Sequence, residues 1–113
     1  MPILSLETDN THAVSVIKVK GRVDSDSAPE LDAALTKLLQ ENRNKIVLNL
    51  QAVDFMSSAG LRAVVKAYQA AKRSGGDVRL AAVSNPVEVI LRTIGMMQML
   101  QMYPTDQEAM ASF

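Results

Sequence analysis

Apolar and polar positions divide the chain into strand-like and helix-like stretches with little between them. Ile46-Val47-Leu48-Asn49-Leu50 is a short, nearly continuous apolar run, the pattern of a central strand covered on both faces. After it, Leu61, Val64, Val65, Tyr68 and Ala71 recur at helical spacing, while Arg62, Lys66, Gln69, Lys72 and Arg73 fill the other face. This predicts an amphipathic helix stopped by Ser74-Gly75-Gly76, with Val78 to Val83 as the next covered strand. Strand, helix and strand in that order imply a right-handed crossover and parallel pairing. Upstream, Ile3 to Thr8 and Ala13 to Lys20 are β-prone and separated by the turn-favouring Asp9-Asn10, which predicts an antiparallel hairpin closed by Gly21-Arg22-Val23-Asp24.

Other helices are signalled by their ends. Ser27-Ala28-Pro29-Glu30 has the capping-box pattern, with proline tolerated in the first turn, ahead of a stripe of Leu31, Leu35, Leu38 and Leu39. Asn85-Pro86 opens a further helix as cap and first residue, with Val87, Ile90, Leu91 and Ile94 as its stripe and Gly95 as its stop. The run from Met96 to Met102 is read as core leading into a short edge strand. Asp106 to Ser112 is expected to form a last helix packing Ala109, Met110 and Phe113.

Composition narrows the possible functions. A length of 113 residues, 48% of them hydrophobic, suits one core, and residues 1–113 are expected to form one domain. Twelve basic and twelve acidic residues give no net charge, so the basic excess of a nucleic-acid binder is lacking. With no cysteine and one histidine there is no thiol nucleophile, and no metal site or cofactor is expected. No apolar run approaches the roughly 20 residues that cross a bilayer, and the N-terminus lacks a basic and apolar leader, so a cytoplasmic location without membrane insertion is expected.

The chemistry concentrates in Asp54-Phe55-Met56-Ser57-Ser58-Ala59-Gly60-Leu61, where the central strand meets the amphipathic helix. A serine at that junction caps the helix through its hydroxyl. The same position suits a phosphate, because the unpaired donors and aligned dipoles of a helix start favour negative charge. Asp24, Ser25, Asp26 and Ser27 have the composition of cap chemistry and lie on a candidate surface beside the Ser58 loop. His12 near the hairpin turn is assigned no function, which leaves Ser58 without a base for nucleophilic catalysis; G-x-S-x-G and the standard nucleotide loops are also absent.

Gly21-Arg22-Val23-Asp24, Ile46-Val47-Leu48-Asn49-Leu50, Phe55-Met56-Ser57-Ser58-Ala59-Gly60-Leu61, Gly75-Gly76-Asp77-Val78 and Ser84-Asn85-Pro86-Val87 stand in an order and spacing that resembles STAS domains. The likeness extends over essentially the whole length and is to stand-alone anti-sigma factor antagonists of the partner-switching type. It implies an α/β fold, a mixed sheet of four to five strands with about four helices largely on one side, and no catalytic activity. It further implies that the unphosphorylated form binds a serine-kinase anti-sigma factor and releases sigma, that phosphorylation ends this binding, and that a PP2C-type phosphatase restores it. By position the acceptor is Ser58, with Ser57 as the alternative, and Asp24, Ser25, Met56, Ser57, Ser58, Ala59, Gly60 and Arg62 form the partner-binding set. Family members often carry aspartate before the acceptor and serine or threonine after it, where this chain has Ser57 and Ala59. A second role compatible with the resemblance is an unphosphorylated subunit of an ABC-type membrane transporter.

Overall fold

The computed structural model describes residues 4–10 and 12–113, apart from the side chain of Met97. The hairpin pairs β1 (Ser5–Asp9) antiparallel with β2 (Ser15–Val23). The expected first strand residue, Ile3, lies outside the described residues. β2 runs through Gly21-Arg22-Val23 instead of ending before it, because this segment stays paired with the next strand. That strand is β3 (Lys45–Met56), followed by β4 (Asp77–Ala81) and the two-residue edge strand β5 (Met102–Tyr103). The sheet order is β1-β2-β3-β4-β5, with every pairing after the first one parallel.

β3 is longer than its apolar core suggests. Its register against β2 slips between the partners of Lys18 and Lys20, and again between those of Gly21 and Arg22, with the extra residue on β3 each time. The inward residues of β3 accordingly follow at Leu48, Leu50, Val53 and Met56, all at most 3% exposed. After Leu50 they stand three apart rather than two, so simple alternation hides the strand's second half.

The helices are α1 (Ala28–Gln40), α2 (Ser58–Arg73), α3 (Asn85–Thr93) and α4 (Asp106–Ala111), with a single 3-10 turn at Met96–Gln98. Leu31, Leu35 and Leu38 of α1, Leu61, Val64 and Ala67 of α2, and Val87 and Leu91 of α3 join Ile17, Val19, Ile46, Leu48, Val78 and Leu80 in the main core. The opposite face of the sheet is covered by α4, where Val16, Val47 and Ala81 pack with Ala109 and the half-buried Met110 and Phe113. The expected segregation of helices therefore holds for three of the four. From the methionine segment, Met96 and Met102 pack against the main core while Met99 is 39% exposed. Among the described residues no helix is long and apolar enough to cross a membrane.

Two helix starts differ from their sequence patterns. Ser27 makes no side-chain cap; its hydroxyl donates to the carbonyl of Arg22 at 2.7 Å, and the capping box does not form. Asp24 braces the turn ahead of the helix, accepting from the backbone N–H groups of Asp26 and Ser27, each at 3.0 Å. At α3 the cap position is Ser84 and not Asn85, and the Ser84 hydroxyl donates to the carbonyl of Val53 at 2.5 Å. In both places a nearby strand carbonyl takes the hydroxyl of the residue at the cap position.

Candidate functional site

Parallel pairing brings the C-terminal ends of β2 and β3 to the same end of the sheet, with Val23 opposite Met56. The chain leaves β3 through Ser57, which is extended (φ −79°, ψ 172°) and caps α2. Its hydroxyl accepts from the N–H of Gly60 at 3.3 Å, its carbonyl accepts from Leu61 N–H at 3.0 Å, and its own N–H donates to the Val23 carbonyl at 2.7 Å. Ser57 is thus used three times in holding the junction. Ser58, the first helical residue, is exposed, and its hydroxyl has no hydrogen-bond partner among the described residues. The two adjacent hydroxyls differ in availability, one committed to the cap and one facing solvent.

Met56 and Gly60, placed in the partner-binding set by position, are both buried. A Cβ built on Gly60 would lie 2.6 Å from a methyl of Val23 and 3.0 Å from Cγ of Met56. The missing side chain at Gly60 therefore serves internal packing of the first turn of α2 against β2. Ala59 is half-buried, while Ser25, Ser58 and Arg62 are exposed. Val23, which carries no chemical group that a motif search selects, supports the junction through both its carbonyl and its methyl.

Asp24 stands beside this junction, and its carboxyl is held below the ordinary value of 3.8. The backbone N–H of Ser27 is the main cause; partial desolvation opposes it, and the Asp26 N–H, the Ser27 hydroxyl and Arg22 assist. The Arg22 guanidinium lies 3.7 Å from the carboxylate and 4.1 Å from the centre of the Phe55 ring. Asp24 is therefore a loop brace as well as a surface charge. Between α1 and α2 a shallow groove of about 240 Å³ opens beside the junction, lined by Ser25, Pro29, Ala59, Arg62 and Ala63 among others. At its edge Lys66 of α2 meets Asp32 of α1 at 3.3 Å.

Among the described residues Arg62 makes no hydrogen bond, ion pair or ring contact, although it lines the same groove as Asp32. Among the described residues no group of three or more His, Asp or Glu is placed to hold a metal ion. His12 is exposed at the hairpin turn, where its carbonyl accepts from the Arg43 guanidinium. The arrangement offers an exposed hydroxyl on a braced helix start, flanked by a cation and an apolar groove, which is the equipment of a recognition surface.

Known proteins share this architecture. A chain named anti-sigma F factor antagonist from Paenibacillus polymyxa is 23% identical over 108 residues, covering 95% of this chain and 92% of that one. An anti-sigma factor antagonist from Mycobacterium paratuberculosis has a solved structure with a TM-score of 0.87 at 24% identity, covering 96% and 92% of the two chains. The Bacillus cell fate determinant SpoIIAA superposes in its unphosphorylated form with a TM-score of 0.81 at 21% identity, over 94% of this chain and 93% of that one. Its phosphorylated form gives 0.74 at 21% identity, over 96% and 97%. The STAS domain model matches residues 5–109. That span takes in all five strands, the Ser57-Ser58 junction and most of α4, and the chain belongs to the STAS domain family.

Proposed function

We propose that this protein is an anti-sigma factor antagonist whose binding to a serine-kinase anti-sigma factor is switched off by phosphorylation of Ser58. The observation that carries the reading is the division of labour at the junction: Ser57 is committed to the cap, and Ser58 presents an unengaged hydroxyl. The names of the relatives support the antagonist role, and a neighbour of the same fold that exists in both phosphorylation states supports the switch. A phosphate brings about −1.5 to −2 charges and three strong acceptors to a surface that must fit a partner closely. In this reading the protein is a non-enzymatic, cytoplasmic binding module, the kinase supplies the phosphate from ATP, and a PP2C-type phosphatase removes it.

The test is incubation of the purified protein with the ATP-binding serine kinase encoded nearest to it, followed by mass spectrometry. One phosphate on Ser58, with none on a Ser58→Ala protein, is the expected result. Phosphate confined to Ser57 would overturn the assignment of the acceptor. Association with a transporter ATPase and permease in place of the kinase would replace the antagonist reading with the transporter-subunit one.

A further inference from the structure

Arg62 lies four residues beyond Ser58 on α2, so the two side chains emerge from the same side of the helix one turn apart. Both are exposed, and among the described residues neither side chain has a partner. Three charges around them are already engaged: Lys66 with Asp32, Arg22 with Asp24 and the Phe55 ring, and Asp24 with the N–H groups of its own loop. The other arginine of α2, Arg73, also without a partner among the described residues, stands in the last turn of the helix, about four turns from Ser58, where the dipole favours a cation. Arg62 is thus an arginine one turn after the proposed acceptor with its guanidinium uncommitted among the described residues.

We infer that Arg62 is the built-in receptor for a phosphate on Ser58, closing onto it within the same helix. An acceptor on the N-terminal side with a cation four residues later is the favourable orientation for such a pair. A guanidinium matches two phosphate oxygens at once, which a lysine ammonium does not. This inference rests on the reading of Ser58 as the phosphorylated residue and gives the switch a second component. Phosphorylation places negative charge beside the groove and, in the same step, withdraws a cation, uncommitted among the described residues, that an acidic group of a partner would meet there. Loss of binding then comes from removing an attraction as well as adding a repulsion.

The experiment installs phosphoserine at position 58 during translation, so that it does not depend on any kinase. The phosphate is titrated by phosphorus NMR in the otherwise unaltered protein and in its Arg62→Gln, Arg62→Lys and Arg73→Gln forms. The expected result is a second phosphate pKa that rises by at least about 0.3 unit in Arg62→Gln, rises less in Arg62→Lys and stays unchanged in Arg73→Gln. Phosphorylation should also shift the side-chain Nε resonance of Arg62 and not that of Arg73. Equal phosphate titration in the Arg62→Gln and Arg73→Gln proteins, or an Arg62 resonance indifferent to the phosphate, overturns the inference. Failure of kinases to modify Ser58 would instead overturn the functional reading and would leave the outcome of this titration unaffected.

Discussion

Neighbouring serines in one sequence context carry different energetic weight. Ser57→Ala removes the acceptor for Gly60 N–H and is expected to cost about 1 kcal/mol, whereas Ser58→Ala, which breaks no internal bond, should stay within about 0.5 kcal/mol of the parent. Urea unfolding of the two variants separates these outcomes. Asp24 makes a second prediction. Its folded pKa lies below the ordinary 3.8, so its contribution is present above that value and is lost as pH falls through the folded pKa. Asp24→Asn keeps an acceptor oxygen but not the charge, and its unfolding midpoint should depend less on pH in the acid range; an unchanged slope would dismiss the carboxylate as a brace. The serine pair itself was legible from the strand-to-helix transition in the sequence. That Ser27 stands at the cap position of α1 without capping it was not, because its hydroxyl is taken by the Arg22 carbonyl, five residues away and fixed by the sheet.

Strand ends and helix starts mesh in this fold more tightly than their separate patterns indicate. The first turn of α2 rests on Val23 at the end of β2, with no space at Gly60 for a methyl group. Gly60→Ala should therefore destabilise the protein despite a helix-propensity gain of roughly 1 kcal/mol, since overpacking of this kind costs about 1–3 kcal/mol. Val23→Ala should cost less in the Gly60→Ala background than alone, and a double-mutant cycle with no coupling would refute the contact. The central β3 run, the parallel crossover through α2 and the positions of the helices could be read from periodicity, because burial on one side imposes it. The continuation of β3 from Gln51 to Met56 could not, because its two bulges depend on cross-strand register with β2, a property of no single segment.

Across the whole molecule the two faces of the sheet are unequally covered. Three helices bury the main core on one side, while on the other the six-residue α4 lies over Val16, Val47 and Ala81. Arg79 fastens this thin side: it pairs with the buried Asp77 at 3.0 Å, donates to the Ser112 hydroxyl at 2.6 Å, and lies 4.2 Å from the centre of the Phe113 ring. Phe113→Ala should raise amide exchange in 106–111 by roughly tenfold, the equivalent of losing about 1.4 kcal/mol of ring contact and burial, while leaving α2 protected. Equal acceleration in both helices would show that α4 does not open separately.

The hold of Val23 on the junction also bears on how a complex would form. Fixing the backbone of a loose loop takes about 1–2 kcal/mol of conformational entropy per residue, which a binding partner would otherwise have to overcome. Here the carbonyl of Val23 holds Ser57 N–H and its methyl group abuts Gly60, so residues 57 to 60 are set in place by folding itself. Under the proposed function a partner arriving at Ser58 would meet a surface of fixed shape, and a single phosphate would decide the outcome because no slack in the loop is available to move it aside.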